Sequence, residues 1–230
     1  MEIKELVMES GNFFAGYTIP LVSYLYEGQE QLNKDLVEIL DELEDFYKST
    51  KSDVNSSTNK DGNTHTKSIL THNFRNFNIL DRVEYESVAN FKNFVFDSYR
   101  HYIKTYMKTD FESLVVQCWG NKVGKFDYLS KHAHVDRISN NIEISGNYFI
   151  KSPGHDTYTR YYSPLTINQE EYAYIKNEEG TLSIFPSFVQ HDTTANRSSS
   201  NYRYTLGIDV LDVPPQAHSS ACFVELTQGR

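Results

Sequence analysis

Apolar residues recur at helical spacing in two stretches of the chain. Over 29–48, QEQLNKDLVEILDELEDFYK, Leu32, Leu36, Ile39, Leu40, Leu43, Phe46 and Tyr47 fall on one side and acidic residues on the other, which predicts an amphipathic helix. Over 84–107, Val88, Phe91, Phe94, Val95, Tyr99, Tyr102, Ile103 and Tyr106 form a second stripe, and a core-facing helix is expected there. Between them, STKSDVNSSTNKDGNTHT (49–66) is polar throughout and reads as a surface loop. Ahead of the first helix, FFAGYTIPLVSYLY suggests a strand pair or a packed arm.

The period changes after 112. SLVVQCW, NIEISGNYFI, TLSIFPSF and NYRYTLGIDVL are short β-branched or aromatic runs, parted by polar or Gly/Pro segments. They predict about seven or eight strands with no βαβ alternation. The expected plan is a helical N-terminal part (1–111) packed on a β core (112–211), with an extension over 212–230, all one structural domain. Composition agrees: 17 Tyr and 14 Phe favour strands, and 230 residues at 39% hydrophobic suffice for one sizeable core.

Charge narrows the partners. A formal net charge of −9, with no dense Lys/Arg run, argues against a phosphate backbone, so nucleic acid is not an expected partner. Cys118 and Cys222 lie far apart with no CxxC pair, which points to a reducing compartment. MEIKELVMESGNFF lacks the basic, apolar, small-residue order of a signal peptide. No apolar run approaches the roughly 20 residues of a membrane span. A soluble, cytoplasmic protein that meets no membrane is expected.

Candidate chemistry begins at KHAHVDRIS (131–139). Side chains at i and i+2 of an extended chain share a face, so His134 and Asp136 can grip one ion. His132 lies on the same face, which leaves the register open: His132 with His134 is an equally valid pair. A third ligand is available at His191, 57 residues after His134, where Gly180 opens a strand and Pro186 stops it. Two imidazoles and one carboxylate with the remaining positions open are the ligand set of non-haem Fe(II) oxygenases. In YRYTLGIDV, Tyr202, Tyr204, Leu206, Ile208 and Val210 alternate with Arg203, Thr205, Gly207 and Asp209. Arg203, 12 residues after His191, then shares a strand face with Thr205, a pair suited to clasping a carboxylate.

Taken in order, QCWGNKVGKFDYLSKHAHVD, ISGNYFI, GTLSIFPSFVQH and RYT resemble the Fe(II)- and 2-oxoglutarate-dependent oxygenases, especially small bacterial and phage members. The similarity spans 112–210, and its most specific parts are the FPS-to-His and Arg-x-Thr pieces. The resemblance implies a mainly β double-stranded β-helix, jelly-roll or cupin-like, with N-terminal helices. It implies an oxidoreductase that hydroxylates an unactivated C–H bond with dioxygen, releasing succinate and CO2. It implies Fe(II) held by His134, Asp136 and His191, and 2-oxoglutarate held by Arg203, Thr205 and Tyr148. Gln117, Trp119, Asn121 and His132 are further pocket candidates. About five extra residues separate the His segment from ISG, and Thr stands where the family has Ser after the Arg. The expected substrate is a small molecule or amino-acid-like. Arg160, Tyr161 and Tyr162 are candidates to touch it, and 49–66, 151–179 and the tail are candidate covers. Two alternatives stay open: a cupin-type metalloenzyme that uses no 2-oxoglutarate, and a non-enzymatic β-sandwich binding module.

Overall fold

Both apolar stripes fold as helices. In the computed structural model, which describes residues 2–9, 18–50, 69–70, 77–134, 142–164, 172–211 and 224–227, α1 spans Gln29–Thr50 and α2 spans Glu86–Tyr102. A π turn over Ile103–Met107 finishes the second stripe. Leu32, Leu36, Ile39 and Leu40 of α1 and Val88, Phe91, Val95 and Tyr99 of α2 are buried in one core cluster, as the 3.6-residue period requires. Loop 49–66 lies outside the described residues from 51 onward, as does most of the tail.

The strands are β1 (Glu2–Glu9), β2 (Thr18–Leu25), β3 (Ile69–Leu70), β4 (Ser113–Val123), β5 (Ile142–Lys151), β6 (Tyr158–Tyr162), β7 (Tyr172–Lys176), β8 (Thr181–Pro186), β9 (Gln190–Thr193), β10 (Arg203–Leu211) and β11 (Val224–Thr227). A large sheet runs β1-β2-β8-β5-β10-β4-β11, with β3 added against β4; a small sheet runs β7-β6-β9. Every described pairing is antiparallel. The region before 112 therefore supplies strands as well as helices: the apolar arm 18–25 pairs with β8 and extends the sheet.

Period-2 alternation sorts the large sheet into two faces. Tyr24, Cys118, Tyr148, Leu206 and Ile208 pack with the helices. From the opposite face, Ile19, Leu21 and Phe185 meet Tyr161 and Val189 of the small sheet and its turn. The order of layers is helices, large sheet, small sheet, and the second gap holds the polar residues of the site. Segment 151–179, a candidate cover, carries β6 and β7 among its described residues. Its run YTRYY alternates intermediate and buried positions, so it forms a strand despite its polar composition.

One buried cation ties α1 to β4. Lys122 Nζ reaches Asp41 at 2.7 Å and also binds Glu44, with the Tyr202 ring 4.5 Å away. Lys122→Met should strand Glu44 in the core and lower the unfolding free energy by about 2–3 kcal/mol, read by urea titration. No helix among the described residues is long and apolar enough to cross a membrane.

Candidate metal centre

Three imidazoles meet between the sheets. His191 sits on β9, and His132 pairs with it through both backbone bonds, His132 N–H to His191 C=O at 3.0 Å and the reverse at 2.8 Å. Segment 132–134 thus adds an edge to the small sheet. His134, two residues on, donates its N–H to Ser187 C=O at 3.0 Å, within the turn that Pro186 starts. One ring nitrogen from each of His132, His134 and His191 lies within 4.8 Å of the others.

Each ring has its Nδ1 committed elsewhere. His132 Nδ1 contacts Ser130 C=O at 2.6 Å, and His191 Nδ1 contacts Val189 C=O at 3.1 Å. A carbonyl only accepts, so both Nδ1 atoms carry the hydrogen and Nε2 presents a lone pair. His134 Nδ1 lies 2.6 Å from Asp209 Oδ1, which also accepts from Ser145 Oγ at 2.7 Å. In the neutral tautomer that gives Nδ1–H to that carboxylate, His134 Nε2 presents a lone pair too. It stands 3.3 Å from His132 Nε2. Lone pairs gathered at one point repel unless a cation lies among them. Burial holds the His191 imidazole well below its ordinary pKa, and the two neighbouring imidazoles push the same way, so it is neutral and able to ligate. The donor set fits a divalent transition metal: neutral imidazoles, each oriented by an outer acceptor, with Asp209 supplying buried negative charge.

A cavity of about 340 Å³ opens on these rings. Gln117, Trp119 and Asn121 of β4, Asn147 of β5, Thr159 of β6 and Thr193 of β9 line it, together with Asp209. Gly207 on β10 makes room for the indole, since a Cβ there would meet the Trp119 ring at 2.3 Å.

Arg203 is fully buried at the start of β10. Its Nη1 donates to Thr194 C=O and its Nη2 to Thr193 Oγ, both at 2.7 Å, while Nε is buried without a partner. Burial pulls its pKa down to about 10 against the opposing field of Asp127, so it stays charged at neutral pH. Thr205, on the same face, accepts from Asn121 Nδ2 at 3.2 Å.

Among residues singled out from the sequence, His134, His191 and His132 come together, and His132 both joins the cluster and lines the cavity, as do Gln117, Trp119 and Asn121. Asp136 lies outside the described residues. Tyr148 faces the helices: its hydroxyl donates to Asn33 of α1 at 2.9 Å and its ring packs on Phe91. Strand parity explains this, since Asn147 and Tyr148 must point to opposite faces. Arg160 and Tyr162 both bind Asp192, the former through two bonds of 2.5 and 2.6 Å, and neither lines the cavity. Tyr161 is buried with its ring stacked 5.8 Å from His191. Asp209 and Thr193 had no predicted role. Alternation placed Asp209 on the Arg203 face, but nothing local showed that His134 would meet it.

No family model matches the sequence, and no curated protein matches it. Solved structures do. A prolyl-4-hydroxylase from Pseudomonas putida superposes with a TM-score of 0.53 at 12% identity, covering 84% of this chain and 93% of that one. A prolyl hydroxylase from Trichoplax adhaerens, in complex with a hypoxia inducible factor oxygen degradation domain peptide fragment, gives 0.54 at 13%, covering 86% and 87%. The chain has the double-stranded β-helix fold of these hydroxylases. In this double-stranded β-helix the three histidines occupy the gap between the two sheets, and Arg203 begins the strand that follows the His191 strand in sequence. The likeness to both structures is one of fold.

Proposed function

We propose that the chain is a non-haem Fe(II)- and 2-oxoglutarate-dependent dioxygenase that hydroxylates an unactivated C–H bond. The observation that carries this reading is a cluster of three imidazoles with Nε2 left for a metal, beside a cavity whose wall is backed by a buried guanidinium. A buried Arg needs an acceptor, and a carboxylate ligand meets that need. Bound Fe(II) supplies the redox chemistry that couples 2-oxoglutarate, dioxygen and R–H to succinate, CO2 and R–OH.

The chain's own residues bind, orient and exclude water. His134 and His191 hold the metal with His132 as the third ligand, and Asp136, the carboxylate expected from the sequence, is the alternative for that third place. Asp209 fixes the His134 tautomer and lends negative charge that three neutral rings lack. Arg203 and Thr205 mark the co-substrate end. Carboxamides and one indole line the cavity, which favours a small-molecule or amino-acid-like substrate of modest charge. The likeness to prolyl hydroxylases supports an amino-acid-like target.

The test is anaerobic titration of Fe(II)-loaded protein with 2-oxoglutarate, followed by admission of air. A visible charge-transfer band and succinate release are expected. Metal binding with no response to 2-oxoglutarate would instead favour a cupin-type metalloenzyme, a reading the three-imidazole set also suits, as does a hydrolytic zinc site. Asp209→Asn keeps an acceptor for His134 but drops the charge. It should weaken Co(II) affinity by about 10-fold or more, measured by calorimetry.

A further inference from the structure

A second cavity, of about 630 Å³, opens between the first turns of α1 and the end of β5. It shares no lining residue with the cavity at the imidazoles. Two carboxamides line it, Gln29 and Asn33, one helical turn apart on one face of α1, together with the apolar Val37 and Ile150. Gln29 Oε1 is buried and has no hydrogen-bond partner among the described residues. Glycine at 180 leaves room for that oxygen, since a Cβ there would meet it at 1.9 Å. Asn33 Oδ1 accepts from the Tyr148 hydroxyl at 2.9 Å, which leaves the Nδ2 hydrogens without an acceptor among the described residues. Four exposed charged residues complete the lining, Lys34 and Lys151 against Glu30 and Glu179.

A buried acceptor with no donor is costly, and a ligand N–H removes that cost. We propose that this cavity binds a small zwitterion carrying a carboxamide, of the class of a free α-amino acid with an amide side chain. A primary amide offers both a donor for Gln29 Oε1 and an acceptor for Asn33 Nδ2. Lys34 and Lys151 then meet the ligand's carboxylate, and Glu30 and Glu179 its ammonium group. The formal charges of the lining cancel, which disfavours a phosphate or a polyanion. No aromatic ring lines the cavity, so a nucleobase would find nothing to stack on. The site is separate from the metal centre and does not depend on the function proposed for it.

The experiment is calorimetric titration of the Co(II)-loaded protein with L-glutamine and L-asparagine. L-Glutamate, a carboxylate in place of the amide, and propionamide, which lacks charged ends, serve as comparisons. At least one of the two amides should bind, about 10-fold or more tighter than either comparison compound. Gln29→Leu should weaken that amide about 10-fold or more and erase its advantage over L-glutamate. The fluorescence of Trp119, the single tryptophan and a wall of the other cavity, should not change on binding. No heat from either amide up to about 10 mM overturns the assignment, and so does wild-type affinity in Gln29→Leu. A Trp119 response that survives Gln29→Leu places the amide at the imidazoles and overturns it too. Should Gln29→Leu not fold, wild-type affinity in the Lys34→Met, Lys151→Met double variant has the same force.

Discussion

Replacing His191 with alanine is expected to abolish metal binding and all dependent activity while leaving a folded protein. His191 is the most buried of the three imidazoles, at 6% exposure, and it forms the backbone pair that holds His132 in place. Loss of an outer partner of a metal-bound histidine costs 10- to 100-fold in affinity, so loss of the ligand itself should cost more than about 100-fold. Calorimetric Co(II) titration reads this directly, and far-UV dichroism checks the fold. The same titration settles the third ligand. His132→Ala is expected to lose Co(II) as His191→Ala does, while Asp136→Ala keeps it. The reverse pattern would give the carboxylate the place that the described cluster gives to His132.

Arg203→Met is the second large effect. Met fills much of the same volume and removes a buried charge, so the fold should survive. Metal affinity should stay within a few-fold, because none of the three histidines touches the guanidinium in any described hydrogen bond. The KM for 2-oxoglutarate should rise about 10- to 100-fold, the range for losing a charge-assisted bond. A KM equal to wild type would remove Arg203 from co-substrate binding. Parallel loss of metal and 2-oxoglutarate affinity would make it a structural residue only.

Much of the fold was legible because burial imposes a period. Leu36 and Val95 sit where a 3.6-residue repeat puts them, and β10 alternates as its sequence does, with Tyr204, Leu206 and Ile208 toward the helices. Two features escaped that logic. The strand β6 carries Thr, Arg and three Tyr, a composition that also suits an exposed loop; only pairing with β7 and β9 makes it a strand. Tyr148 sat in the right motif but on the wrong face, since parity is set by which side of β5 meets the helices.

The candidate site divides along the same line. Local spacing determined that His132 and His134 share a face, and that Arg203, Thr205 and Asp209 share another, because an extended chain repeats every two residues. Tertiary structure alone decided that His132 opposes His191, that Asp209 receives His134, and that Arg203 turns its Nη groups to Thr193 and Thr194. Those contacts join residues brought together by sheet pairing across 9 to 75 positions of chain, and no local pattern encodes which acceptor a buried donor will find.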